Sequence, residues 1–275
     1  MFSWAEDTDE VINTTNSREL RATLNLYFCK VLKSNLENYF FMHCDFSFII
    51  NITQNDEYTL YQKMIFDLNK KIEMSDPKDA LKGRDQSLTV SPKHYVNGED
   101  VQGPYPNECK ELKVAMGCFW GAEKLFWQQD GVYSTSVGYM GGYTKNPTYR
   151  EVCSGNTGHT EAVLVVYDPA IVSLKELLRI FWEGHDPTQY MRQGNDIGTQ
   201  YRSAIYFSDE GTLDVINKTK HEYQEQLTQF SRGNIVTEVK PMTEFYFAED
   251  YHQQYLAKNP DGYCGLGGTG VLLEG

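Results

Sequence analysis

The stretch Gly117-Cys118-Phe119-Trp120-Gly121 sets one thiol between an alternating strand pattern, Leu112-Lys113-Val114-Ala115-Met116, and a helical pattern that begins at Ala122. The spacing predicts a helix N-terminus at Cys118, where unpaired N–H groups and the positive end of the helix dipole favour the thiolate and so a nucleophile. The plainer alternative is a small cysteine packing a strand-to-helix corner. Glu161, at the head of a second strand pattern, is a candidate acid, or else a solvated residue opening a strand. His159, two residues earlier, invites a Cys–His protease, but no nucleophile block of that class accompanies it. Six cysteines, at 29, 44, 109, 118, 153 and 264, include no C-x-x-C pair, which argues against both a stapled secreted scaffold and a paired metal site. Cys29, Cys44 and Cys109 read as bystanders and Cys153 as a buried structural thiol. The run Gly265-Leu266-Gly267-Gly268-Thr269-Gly270 neither follows a strand nor opens a helix, so a dinucleotide loop is discounted. No metal and no bound cofactor is expected.

The elements that must position these groups begin at about residue 111. The pattern predicts a strand to Met116, a helix to about Gln129, a strand over 133–139 and a glycine-rich loop over 141–158. A strand over 161–167, a helix over 173–183, a strand over 201–207 and a long helix over 209–230 follow. A short strand near 236–240 and a helix around 248–256 complete the series. Such alternation implies a sheet packed on helices. From Asn259 the glycine content predicts a mobile tail carrying Cys264. Residues 1–73 differ in character, with almost no glycine and helical patterns around 20–36 and 58–72, and read as an appendage. Residues 74–110 hold Asp76-Pro77, Gly83, Pro92, Asn97-Gly98 and Gly103-Pro104, the composition of an extended arm.

A chain of 275 residues with 40% hydrophobic side chains can bury a substantial core. Its formal charge of −13 argues against general affinity for nucleic acid or an anionic membrane surface, since basic residues make the first contact with both. No run approaches the roughly 18 apolar residues of a membrane span. The acidic N-terminus resembles neither a secretory nor a transit signal, so a cytoplasmic monomer is expected.

Four blocks occur in order: Gly117 to Gly121; Gly141-Gly142-Tyr143-Thr144 through Pro147-Thr148-Tyr149-Arg150-Glu151-Val152; Gly158-His159-Thr160-Glu161-Ala162-Val163; and Gly194-Asn195-Asp196-Ile197-Gly198-Thr199-Gln200-Tyr201-Arg202-Ser203. With Glu249-Asp250-Tyr251-His252-Gln253-Gln254-Tyr255 and Gly262-Tyr263-Cys264-Gly265 they resemble the methionine sulfoxide reductase A family from about Ser75 to Val271. The expected fold is α+β, a two-layer sandwich of ferredoxin-like plait type with a mixed sheet, helices on one face and an irregular glycine-rich C-terminal tail. The resemblance implies reduction of the S epimer of methionine sulfoxide, free or in proteins. It makes Cys118 the nucleophile, Glu161 the acid, and Tyr149 and Tyr201 donors to the sulfoxide oxygen. Phe119 and Trp120 become walls around the substrate methyl group, and Asp196 and His252 the holders of its polar backbone or of ordered water. A carboxyl group among these aromatics is poorly solvated, which raises its pKa. Cys264 becomes the thiol that resolves a Cys118 sulfenic acid into a disulfide, with thioredoxin as the reductant. Relatives that relay through a further cysteine carry it just beyond, where this chain has Val271-Leu272-Leu273. A thiol peroxidase and a redox-sensing module that grips methionine-rich partners are the rival readings.

Overall fold

The computed structural model describes Lys63 and residues 71–273, all within the second of two units into which the chain divides at Thr59 and Leu60. The helix expected at 20–36 and most of that at 58–72 lie outside the described residues, as do Cys29 and Cys44. Strands β1 (Lys110–Met116), β2 (Val132–Met140), β3 (Thr160–Tyr167), β6 (Ser203–Phe207), β7 (Glu238–Pro241) and β8 (Tyr246–Phe247) form one sheet in the order β7-β6-β1-β3-β2-β8. Two short strands, β4 (Arg192–Gln193) and β5 (Asp196–Ile197), make a separate hairpin. All pairings in the large sheet are antiparallel except β6 with β7, so the sheet is mixed and the class α+β. Every residue of β3 is buried, as its near-continuous apolar run Ala162-Val163-Leu164-Val165-Val166 requires of a central strand.

Helices α1 (Phe119–Trp127), α2 (Tyr149–Cys153), α3 (Leu174–Gly184), α4 (Glu210–Gln229) and α5 (Tyr255–Lys258) alternate with the strands. Leu112, Val114, Val163, Val165 and Ile205 point from the sheet into one core with Phe126, Phe181, Trp182, Ile216 and Tyr223 from α1, α3 and α4. The other face carries a smaller cluster, Ala115, Met140, Ala162, Ala204 and Tyr206, covered by Met242 and Phe245. Helix starts follow their capping residues: Ser173 and Glu176 form a reciprocal box at α3, Thr148 and Glu151 do so at α2, and Asp209 accepts the Thr212 N–H at α4. The cap of α1 is different and belongs to the site below.

The antiparallel register brings four chain segments to one end of the sheet. β1 and β2 finish there, while β3 and β6 begin there, with Met116 opposite Ser203 and Tyr139 opposite Glu161. Cys118, the 141–159 loop, Glu161 and Tyr201 therefore converge. The tail from Asn259 has no regular structure, yet its far end is docked. Tyr223 donates to the Val271 carbonyl at 3.2 Å, the Leu273 N–H donates to Glu183 at 2.8 Å, and Val271 is buried.

Candidate active site

Gly117 closes β1 at φ +90, and a side chain there would collide with Gln193. The turn makes Cys118 the N-cap of α1, but its side chain caps nothing. Instead the Phe119 N–H donates to Glu161 Oε2 at 3.0 Å. One carboxyl group from β3 thus terminates the helix beside the thiol. Glu161 is 1% exposed, and burial pushes its pKa up to about 8 against the opposing Phe119 hydrogen bond. A carboxyl group so placed holds its proton more tightly than an exposed glutamate does.

The thiol itself departs from expectation. Burial raises the Cys118 pKa strongly, the negative charge of Glu161 adds to the rise, and the Trp120 N–H at the helix start offsets only part of it. The dipole effect of a helix end is worth about 0.3–1 kcal/mol at exposed positions and loses to the desolvation of an anion here. Cys118 is therefore a thiol at rest.

Tyr149 opens α2, and Tyr201 ends a 3-10 turn, Thr199–Tyr201, that precedes β6. Burial raises both phenol pKa values, with Glu161 the next contributor in each case, so both remain O–H donors near the carboxyl. Arg202 pins this corner by donating to the carbonyls of Thr199 at 2.8 Å and Gly158 at 3.0 Å. Glu249, which opens one of the blocks quoted from the sequence but was given no role there, accepts from the Tyr139 hydroxyl at 2.9 Å and the Tyr149 N–H at 2.9 Å, tying β2 to α2.

Phe119 is buried and lies 5.1 Å from the His252 ring, while Trp120 donates from Nε1 to His252 Nδ1 at 3.0 Å. Tyr255 stacks on the Trp120 indole at 3.8 Å and 15°. Burial lowers the His252 pKa to about 4, so the ring is neutral. Because Nδ1 accepts, Nε2 carries the proton, and this buried donor has no hydrogen-bond partner among the described residues. Asp196 is partly buried, with its pKa raised by burial, and accepts from the Tyr263 hydroxyl at 3.3 Å. That contact brings the residue preceding Cys264 to the site.

Cys264 is exposed, and its Sγ rests against the first turn of α1. A Cβ at Gly121 would stand 2.9 Å from it. Cys264 also contributes to the raised Cys118 pKa, which sets the two sulfurs in one electrostatic neighbourhood. Cys153 overturns its reading as a buried structural thiol: it is exposed at the end of α2, one turn from Tyr149 and hydrogen-bonded to that residue's side chain. His159 is structural. Its Nε2 donates to the Thr144 carbonyl at 2.7 Å and its Nδ1 accepts the Gly142 N–H at 3.1 Å, so neither nitrogen is left for a thiol. Among the described residues no group of three or more His, Cys, Asp or Glu side chains is arranged to hold a metal ion, and no helix is long and apolar enough to cross a membrane.

The sequence profile of the peptide methionine sulfoxide reductases matches residues 110–269. The chain belongs to this family. It is 59% identical over 202 residues to the peptide methionine sulfoxide reductase of Brucella anthropi, covering 74% of this chain and 93% of that protein. Identity to the Vibrio vulnificus enzyme is 57% over 206 residues, with 75% and 98% covered. Among solved structures, methionine sulfoxide reductase A of Corynebacterium diphtheriae superposes with a TM-score of 0.63 at 46% identity, over 70% of this chain and 93% of that one. Mxr1 of Saccharomyces cerevisiae in its reduced form gives 0.55 at 34%, over 67% and 100%. The family match ends five residues beyond Cys264, so Cys118, Cys153 and Cys264 all fall inside it.

Proposed function

We propose that this chain reduces the S epimer of methionine sulfoxide, free and in proteins, back to methionine. The observation that carries the reading is the buried Glu161 carboxyl group, bonded to the Phe119 N–H beside the Cys118 thiol and with its pKa pushed up to about 8 by burial, between an aromatic cage and two tyrosine hydroxyls. A sulfoxide sulfur becomes electrophilic only when its oxygen is protonated or strongly hydrogen-bonded. Glu161 supplies that proton, assisted by Tyr149 and Tyr201, as the Cys118 sulfur bonds to the substrate sulfur. The Cys118 thiol proton passes to the vacated Glu161 carboxylate, the oxygen moves as hydroxide from the substrate sulfur to the Cys118 sulfur, the S–S bond breaks with its electron pair going to the substrate sulfur, and methionine leaves with Cys118 as the sulfenic acid. Cys264 attacks it, a disulfide forms and water departs. A thioredoxin-type dithiol takes up the disulfide by exchange and returns both cysteines to thiols. The balance is one sulfoxide and two thiols to one thioether, one disulfide and one water, and it requires no metal or bound cofactor. Phe119 and Trp120 hold the methyl group, because aromatic walls reward an apolar group and offer an oxygen nothing. Asp196 and the Nε2–H of His252 take the polar backbone around it. The strand order β6-β1-β3-β2 within a β-α-β-β-α-β succession supports the ferredoxin-like plait.

Separated epimers of a methionine sulfoxide peptide test this reading. With dithiothreitol the protein is expected to consume the S form alone, and Cys118→Ser to consume neither. Turnover by the serine variant, or equal rates on both epimers, overturns it. Cys264→Ser is expected to release about one methionine per enzyme and then stall with thioredoxin, while dithiothreitol restores part of the turnover. Full thioredoxin-driven activity in that variant would assign the resolving step to the exposed Cys153.

A further inference from the structure

Glu123, on α1, takes no part in the chemistry above, yet after Glu161 of β3 it is a second wholly buried carboxyl group. Its Oε2 accepts the Gln254 backbone N–H at 2.8 Å, and its Oε1 accepts from Gln254 Nε2 at 2.7 Å and from the Thr135 hydroxyl at 3.0 Å. The proton directions are fixed by a chain reaching into the arm. His94 Nδ1 accepts the N–H groups of Val96 and Asn97, so its Nε2 carries the proton and donates to Thr135 Oγ1 at 2.9 Å, which leaves the Thr135 proton for Glu123. Three donors meet the carboxyl group and no acceptor does. These bonds favour the carboxylate, whereas burial pushes the Glu123 pKa up to about 7.

What the three donors hold is a strained turn. Gln254 is in the left-handed region at φ 46, a conformation that a residue with a Cβ rarely keeps unless its surroundings hold it there. Its amide is fully used, since Oε1 accepts the Tyr95 N–H at 3.1 Å and Nε2 also reaches the Thr135 carbonyl at 3.2 Å. Its neighbour Gln253 is fixed to Val137 and to the Ala248 carbonyl. The turn delivers His252 to the indole nitrogen of Trp120 and Tyr255 to its face. Trp120 and Glu123 are three residues apart on one helix, so the ring and the anchor of its clamp share one rigid element.

We propose that Glu123 is a positioning residue for the substrate cage: through the Gln254 turn it holds His252 and Tyr255 against Trp120 and so sets where the cage wall stands. The role rests on reading Trp120 as that wall. A glutamine in place of Glu123 keeps the shape but puts an amide donor where one oxygen stood, facing either the Gln254 N–H or the pair of donors at Oε1, a clash the turn must then escape.

Indole hydrogen exchange and steady-state kinetics with dithiothreitol test it together. Trp182, whose Nε1 donates to Thr219 at 3.0 Å inside the main core, is the internal reference. In Glu123→Gln the Trp120 indole N–H is expected to exchange at least about tenfold faster while that of Trp182 is unchanged. KM for a methionine sulfoxide peptide should rise about tenfold, with kcat within about threefold. Gln254→Ala leaves α1 and the carboxyl group in place, carries the same expectation, and decides the matter if Glu123→Gln gives no folded protein. Unchanged Trp120 exchange in folded variants overturns the proposal. So does equal acceleration at both indoles, or a fall in kcat with KM unmoved. The exchange measurement is independent of activity, so a failure of the functional reading, seen as no turnover in the unaltered protein, is distinguishable from a failure of this one.

Discussion

At Glu161 a single side chain does two jobs, closing the N-terminus of α1 through the Phe119 N–H and keeping a proton beside Cys118. Glu161→Gln keeps an oxygen for the cap and removes the acid, so the fold should survive while turnover at pH 7 falls roughly 100-fold, the scale of general acid catalysis. Stability should move the other way. The folded pKa of about 8 lies above the ordinary glutamate value of 4.5, so the folded state binds this proton more tightly than the unfolded chain does. That contribution is complete below about pH 4.5 and is lost as pH rises through about 8. E161Q has nothing to ionise, so its melting temperature relative to the unaltered protein should climb by several degrees between pH 5 and pH 8.5. A flat difference across that window would mean that Glu161 is already ionised in the resting fold. That Cys118 stands at a helix start and Glu161 near the head of a strand was legible in the sequence. The resting state of the thiol was not, because a helix end is a local signal, whereas burial and a carboxyl group 43 residues away are tertiary.

Among the elements, those with a long hydrophobic period were legible and those set by distant hydrogen bonds were not. The helix expected over 248–256 is instead a 3-10 turn, Asp250–His252, followed by α5, because bonds from Glu123 and Val137 hold Gln253 and Gln254 out of helical geometry. The stretch 141–158 reads as loop from its glycines, yet it contains α2, whose Thr148-x-x-Glu151 box is a start signal present in the sequence. Gly121 shows how an element admits its partner. A methyl group there would stand 2.9 Å from Cys264 Sγ and 3.0 Å from Leu266 Cβ, closer than carbon contacts allow, so the tail must retreat. Gly121→Ala should therefore leave the first methionine released at a near-normal rate and slow disulfide formation about tenfold, a change of about 1.4 kcal/mol. Dimedone trapping of the Cys118 sulfenic acid during a single turnover measures it. Trapping no greater than in the unaltered protein would show that the resolving thiol does not approach over this helix turn.

For the whole molecule, the arm is where sequence and structure diverge most instructively. Its turn formers predict an extended segment, and apart from a short 3-10 helix at Pro77–Asp79 it has little regular structure. Its order comes from partners far along the chain, which no local pattern encodes. Ser75 donates to the Gly155 carbonyl at 3.0 Å, Arg84 to Glu151 at 2.7 Å and to the Asn146 carbonyl at 2.6 Å, and His94 to Thr135 at 2.9 Å. These bonds brace α2, which carries Tyr149, and the β2 residue that holds Glu123. The match of 202 residues to the Brucella relative is longer than the whole segment from Lys110 to the C-terminus, so it reaches back into this arm. A chain beginning at Met74 keeps every one of these bonds and every residue given a role. Its catalytic constants should stay within about threefold of the full chain, a difference under about 0.7 kcal/mol. A chain beginning at Lys110 loses the brace on both elements, and its melt should fall by many degrees with activity lost alongside. Kinetics and thermal melts of the two shortened chains decide between them: collapse of activity in a well-folded chain from Met74 would place a catalytic contribution in residues 1–73, and an undisturbed chain from Lys110 would show that the arm braces nothing.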